Sequence, residues 1–265
     1  MAKTNPRRRN RPSIGLALGG GAVRGAAHLG VLAVLEDAGI HPDYIAGTSA
    51  GAIVGAGYAA GLSVEEMGRL IRNAGWRDIT EVAWRKSLSI FDTTPLQQWI
   101  ASAIGDIEFI DLKTPLAAVA CNIIDGRKVI MREGSVVRAA VASAAIPGLF
   151  NPLGYKGMLL VDGGLVENLP VETVREMGAE VVIAVDVSPT LRHGMRPDSL
   201  RDVVTATMLI AASNTQIDAR GDADCLIQPD IEDYMPWDFS KVARIEETGR
   251  HAARQALPDI LASLG

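Results

Sequence analysis

The sequence predicts an α/β fold, a single domain with a central, largely parallel sheet covered by helices on both faces. Three observations predict it. Short apolar runs, many of them ending at Gly or Asp-Gly, alternate with helix-length stretches along the chain, which is the pattern of successive strand–helix units. Several runs are apolar throughout, as strands buried on both faces must be. Small residues dominate the apolar fraction and aromatic residues make up only 5%, which lets helices lie close on a sheet. The 265 residues are enough for one large core, and no repeat, low-complexity tract or linker divides them.

Residues 1–13 read as a basic flexible tail and residues 14–265 as the folded domain. The tail carries Lys3, Arg7, Arg8, Arg9 and Arg11 but no apolar stretch, so it is not a secretory signal. Its alternative role is an electrostatic contact with anionic headgroups, worth about 1 kcal/mol per basic residue. Ile14-Gly15-Leu16-Ala17-Leu18 is the first buried strand, and Gly19 to Gly25 a loop. Residues 26–38 then form a helix with Leu29, Leu32, Val34 and Leu35 inward and Gly39 as its stop. Residues 43–48 make the next strand and 50–60 the following helix. Ser63-Val64-Glu65-Glu66 opens another helix as an N-cap.

Residues 75–95 read as irregular. Strands over 115–124 and 128–131 flank a turn at Asp125-Gly126, and 135–145 is a small-residue helix ended by Pro147. A strand over 159–161 leads into Asp162-Gly163-Gly164. Helix 171–177, strand 181–187, helix 198–218, strand 225–228 and helix 240–257 complete the order.

Composition excludes several functions. The formal net charge of −5 argues against nucleic acid as a partner. Cys121 and Cys225 each lie in an apparent buried strand and read as free core thiols. The four histidines show no metal-site spacing, so neither metal nor organic cofactor is expected. No run reaches membrane-spanning length. The chain reads as soluble and cytoplasmic, with peripheral contact at the inner face of the membrane as the alternative the tail allows.

The chemistry concentrates in Gly47-Thr48-Ser49-Ala50-Gly51, a strand–turn–helix sequence with glycines two before and two after the serine. It is a G-x-S-x-G nucleophile elbow, which presents a serine hydroxyl at a helix N-terminus. The loop Gly19-Gly20-Gly21-Ala22-Val23-Arg24-Gly25 also joins a strand to a helix. Its N–H groups can converge on one point, backed by the positive end of that helix. A dinucleotide site needs G-x-G-x-x-G, which fails here at Arg24 or at Ala22 depending on the starting glycine, and the Gly-Lys-Ser/Thr of a P-loop is absent. An oxyanion hole formed around Gly19, Gly20, Gly21 and Ala22 is the better reading. Asp162-Gly163-Gly164, taken alone, reads as a turn.

Together these segments resemble the patatin-like phospholipase family. Its G-G-G-x-x-[RK]-G is matched by Gly19 to Gly25 with Arg24, its G-x-S-x-G by Gly47 to Gly51, and its D-G-[GA] by Asp162, Gly163 and Gly164. The stretch from Ala142 through Pro147 and Gly148 to Phe150 is similar to the family's fourth block. The resemblance covers roughly residues 14–190 and is nearest the bacterial members related to the neuropathy target esterase domain. It implies the family's three-layer fold and a serine acyl hydrolase acting on a phospholipid or lysophospholipid. It also implies a Ser–Asp dyad with Ser49 as nucleophile and Asp162 as base. Gly25, Gly47, Gly51, Gly163 and Gly164 would support the loops, and Arg24 would either brace the glycine loop through a carboxylate or meet a headgroup phosphate. An acyltransferase using the same serine, or an adaptor that keeps the fold, are the alternatives. A Ser–acid–His triad would require His193 or His251, in a loop and on a charged helix face, while His28 reads as packing. Trp76, Val82, Trp84, Leu88, Ile90, Phe91 and Trp99, together with Val203, Val204, Met208, Leu209 and Ile210, read either as ordinary core or as a mobile apolar lid and acyl pocket.

Overall fold

A computed structural model describes residues 11–83, 88–188, 200–215 and 217–265. The expectations for most of the basic tail, for Trp84 and for His193 lie outside these residues. The strands are β1 (Ile14–Leu18), β2 (Tyr44–Thr48), β3 (Glu81–Val82), β4 (Phe91–Asp92), β5 (Leu116–Asn122), β6 (Arg127–Met131), β7 (Leu153–Tyr155), β8 (Met158–Asp162), β9 (Val181–Val185) and β10 (Cys225–Ile227). The helices are α1 (Ala27–Asp37), α2 (Ala50–Ala60), α3 (Val64–Asn73), α4 (Trp76–Ile79), α5 (Thr94–Ile104), α6 (Val136–Ser143), α7 (Val171–Glu176), α8 (Leu200–Asn214), α9 (Ile217–Asp222) and α10 (Val242–Leu264).

The main sheet has the order β10-β9-β1-β2-β5-β8-β7, with β6 also on β5. From β10 to β5 every pairing is parallel, whereas β8, β7 and β6 add antiparallel. The alternation of side chains along each strand sorts the two faces by size. Ile14, Leu16, Leu18, Ile45, Leu116, Ile183 and Val185 enter the larger core under α1, α2, α6 and α10. Ala17, Ala46, Ala117, Val182 and Ala184 face the smaller core with Val171 and Val174 of α7. Gly15 belongs to that small face: a β-carbon there would stand 2.5 Å from the Ala179 side chain. Helices therefore cover both faces, as expected, and the thinner layer sits where side chains are smallest.

Helix starts follow local chemistry. The Ser63 hydroxyl accepts the Glu66 N–H at 3.2 Å while the Glu66 carboxylate accepts the Ser63 N–H at 2.9 Å, a complete capping box on α3. Cys121 and Cys225 are buried free thiols, as read from their strands.

Four expectations need correction. The stretch 75–95 contains α4 and the β3–β4 ladder, and it ends in α5, which starts with Pro95 in its first turn. Strand β7 was not foreseen; it pairs with β8 through a turn at Lys156-Gly157, both at positive φ. The helix expected over 198–218 is two, broken near Thr215, whose hydroxyl donates to the Ala212 carbonyl and accepts the Asn168 N–H. The last helix does not stop before Pro258 but continues to Leu264. Proline removes one helical hydrogen bond, and fully buried Ile260 holds the next turn on the core. Among the described residues, no helix is long and apolar enough to cross a membrane.

Helices α1 and α10 make the most extensive helix–helix contact, and glycine is what lets them approach. A β-carbon on Gly249 would collide with the Ala27 carbonyl, and one on Gly30 with the Glu246 carbonyl. Gly249→Val should therefore cost about 1–3 kcal/mol. The check is a lower urea midpoint with an unchanged slope.

Candidate active site

Strand β2 ends at Thr48 and α2 begins at Ala50, so the whole reversal falls on Ser49, with φ 53° and ψ −120°. A non-glycine residue held there stores about 1–3 kcal/mol of strain, which the surroundings must impose. They do so through close packing and three hydrogen bonds. Gly51 lies on the Leu18 carbonyl, and Gly47 faces the Ala52 backbone, where a β-carbon would stand 2.6 Å away. The Ser49 N–H donates to the Ser143 hydroxyl at 2.9 Å, which donates in turn to the Val119 carbonyl at 2.5 Å. The Thr48 hydroxyl donates to the Glu167 carbonyl at 2.8 Å. Buried Glu167 is itself fixed by the Thr173 N–H and hydroxyl and by Lys128 at 3.1 Å.

The partner of the serine is set by strand register. β2 runs parallel along β5 and its last pair is Thr48–Val119. β8 runs antiparallel on the same edge and its last pair is Asp162–Ala120, while β6 occupies the other edge. The C-terminal ends of β2 and β8 thus meet head to head at Val119-Ala120, and this brings Ser49 and Asp162 together. Asp162 is 3% exposed. Burial pushes its carboxyl up from 3.8 to about 6, against the opposing effect of the nearby Ser49 hydroxyl and of the Gly164 N–H. The Gly164 bond measures 2.8 Å. Gly163 lies against the Val119 carbonyl, so the turn after Asp162 packs on the same point of β5.

The glycine loop closes the third side, with fewer free donors than the sequence suggested. The Gly19 N–H is spent on the Val185 carbonyl at 3.0 Å and the Gly20 N–H on the Asn168 carbonyl at 3.1 Å. Of the expected donors Gly19, Gly20, Gly21 and Ala22, only Gly21 and Ala22 keep an N–H without a main-chain acceptor among the described residues. Ala22 takes φ 52°, the conformation that turns the loop into the first helical turn. Gly20 has no room for a side chain, since a β-carbon would stand 2.5 Å from Asn168 Oδ1 and 3.1 Å from Ser49 Cβ.

Three supports of this loop come from elsewhere. Asn168 donates to the Gly20 carbonyl at 3.3 Å and to the Ser188 hydroxyl at 2.8 Å. Fully buried His28 donates from Nε2 to the Gly19 carbonyl at 2.8 Å. Burial lowers its pKa to about 4, against that bond and the charge of Asp186, so it stands neutral behind the loop. Arg24 is buried and donates to the carbonyls of Tyr234 at 2.7 Å and Glu232 at 3.4 Å. It braces the loop through main-chain carbonyls. Gly25 packs on Ala50, tying the loop to α2. His251 is exposed on α10.

Two cavities meet at Ser49. One of about 120 Å³ is lined by Ala50, Ile53 and Val54 of α2, by Ile71, and by Trp76 and Trp99. The other, about 80 Å³, is lined by Gly20, Gly21, Ala22, Asp162, Asn168 and Trp237. The apolar wall differs from the expected one. Trp76 and Trp99 line it, but Val82, Leu88 and Ile90 are exposed, and Phe91 packs on Phe150 at 6.0 Å between ring centres. Val203 and Ile210 of α8 are also exposed, while α8 reaches the second cavity through Ala212.

A family model described as Patatin-like phospholipase matches residues 16–175. Lysophospholipase NTE1 of Saccharomyces cerevisiae is 31% identical over 89% of this chain and 16% of its own length. Lysophospholipase nte1 of Aspergillus fumigatus is 29% identical over 92% of this chain and 18% of its own. The chain thus spans about a sixth of the length of these relatives. A crystal structure of VipD from Legionella pneumophila superposes with a TM-score of 0.55, covering 97% of this chain and 72% of that one at 14% identity, a likeness of fold.

The Ser143 hydroxyl joins the elbow to β5 and, among the described residues, is the acceptor of the Ser49 N–H. Ser143→Ala should cost about 1–3 kcal/mol in unfolding free energy, the penalty of a buried donor left unpaired. It should also slow phosphonylation of Ser49 by a fluorophosphonate, measured as labelling rate at a pH where the wild type is fully reactive.

Proposed function

The chain belongs to the patatin-like phospholipase family, and we propose that it is a serine acyl hydrolase for lysophospholipid or phospholipid esters working through a Ser49–Asp162 dyad. The observation that carries this reading is the head-to-head end of β2 and β8 on β5, which sets a serine hydroxyl against a buried carboxylate. A serine hydroxyl is a weak nucleophile until a neighbour takes its proton. Asp162 takes it as Ser49 Oγ attacks the ester carbonyl, and the N–H groups of Gly21 and Ala22 receive the negative charge that develops on the carbonyl oxygen. Donors aimed at such an oxyanion are typically worth about 3–4 kcal/mol each. Asp162 then returns the proton to the departing alcohol or lysolipid, leaving Ser49 acylated. Water, deprotonated by the same carboxylate, attacks the acyl-enzyme, and Asp162 returns that proton to Ser49 Oγ as the fatty acid leaves. The apolar cavity takes the acyl chain and the cavity lined by Gly20, Gly21, Ala22 and Asp162 takes the leaving group.

The direct test is a fluorophosphonate probe with a lysophospholipid hydrolysis assay. Wild type should label and release fatty acid, Ser49→Ala should do neither, and His251→Ala should do both. Hydrolysis that survives in Ser49→Ala would end the reading.

The Asp162 pKa gives a second test. A base must be ionised to accept a proton, so kcat/KM should rise with pH through about 6 and level off above it. The same shift has a stability cost. The folded protein prefers the protonated carboxyl, so this contribution is complete below the ordinary carboxylate pKa and lost as pH climbs through about 6. The rise from 3.8 to about 6 corresponds to about 3 kcal/mol. Asp162→Asn should therefore be inactive yet more thermostable than wild type at pH about 8, with the margin shrinking as pH falls from about 6 toward 4.

A further inference from the structure

The apolar cavity beside Ser49 does not end at solid core. Beyond its far wall lies a second apolar cavity of about 30 Å³, lined by α2, α3 and α5. The two share a wall made of Ile53, Val54, Ile71 and Trp99. They are arranged along α2, whose N-cap is Ser49. At about 1.5 Å per residue, Val54 lies about 7.5 Å and Gly57, which lines the second cavity, about 12 Å from the serine. A zigzag carbon chain advances about 1.25 Å per carbon, from its bond length and angle. An acyl group on Ser49 lying along α2 reaches the shared wall at about its sixth carbon and the second cavity at about its tenth.

We propose that this inner apolar cavity between α2, α3 and α5 is the terminal subsite for long acyl chains and that Trp99 is the partition deciding whether a chain enters it. The inference rests on Ser49 being the acylated nucleophile. Trp99 is the only member of the shared wall on α5, and its indole is half-buried, whereas Val54 is buried in the core beneath the sheet. Ala103 lies one helical turn beyond Trp99 on the same face of α5 and lines the second cavity alone. The lining of both the wall and the space behind it is hydrocarbon, apart from the Met67 thioether and the indole, so the ligand is an aliphatic tail. About 30 Å³ is room for two or three small groups. Each buried methylene is worth roughly a factor of four in binding.

The experiment measures kcat/KM of wild type, Trp99→Ala and Ala103→Phe on butanoyl, octanoyl and hexadecanoyl p-nitrophenyl esters, with circular dichroism and thermal melts to establish folding. Trp99→Ala should raise the hexadecanoyl-to-octanoyl ratio by about ten-fold or more, and Ala103→Phe should lower it by a similar factor. Ala103→Leu fills less space and should lower the ratio less, which keeps the test decisive if the Phe variant does not fold. A ratio that stays at the wild-type value in Trp99→Ala and the filled variant, or shifts the same way in both, overturns the partition while leaving the nucleophile reading intact. Ester hydrolysis that persists undiminished in Ser49→Ala overturns that reading and this inference with it.

Discussion

One edge of β5 serves two strands that arrive from opposite directions, and the geometry of the site follows from that sharing. β2 covers the edge as far as Val119 and β8 takes it over at Ala120. Neither strand can extend past the junction without displacing the other, so each must turn there, and each does so at a residue of the proposed dyad. Strand register is tightly specified where both faces are buried, because a slip of one residue exchanges the inward and outward side chains. Large residues on one face and alanines on the other make such a slip costly here. The distance between Ser49 and Asp162 is thus held by the core of the domain rather than by loops. Ser143, Thr48 and Glu167 then tie the two turns to β5 and to each other.

The site is built against the stability of the chain that carries it. Ser49 sits at positive φ without being glycine, Asp162 is a carboxylate with almost no access to water, and His28 Nδ1 is buried with no partner among the described residues. Each is a local rule broken where function is expected to break it. The compensation lies next door, in uninterrupted apolar strands and in helices that approach to backbone contact at Gly30 and Gly249.

Local signals in the sequence carried a large part of this. The apolar runs of β1 and β2, the glycines around Ser49 and the N-cap at Ser63 are each decided within a few residues, and each formed as read. Helix α5 was also legible in principle, because Pro95 in the first turn precedes Leu96, Trp99 and Ile100 at helical spacing. Ser143 and Asn168 were not legible. Ser143 lies in a run of small residues and meets Ser49 across 94 positions of chain, and Asn168 meets Gly20 across 148. The same distance in sequence hid the fate of the Gly19 and Gly20 N–H groups, whose acceptors belong to β9 and to residue 168. A loop shows its donors in sequence, but what consumes them is settled only by the neighbours the fold supplies.

The stretch that matches the family ends at 175, yet the site does not. Gly21 packs on Val187, the Val23 N–H donates to the Pro236 carbonyl, Arg24 holds Tyr234 and Glu232, and Pro236 and Phe239 line the apolar cavity. The chain is therefore divided by task at about two thirds of its length. The earlier part carries the proposed dyad and the strand junction that brings its two members together. The later part furnishes walls and bracing. Substitutions at Pro236 or Phe239 can reshape what the cavity admits without disturbing how Ser49 meets Asp162, so selectivity can drift under selection while the reaction is conserved.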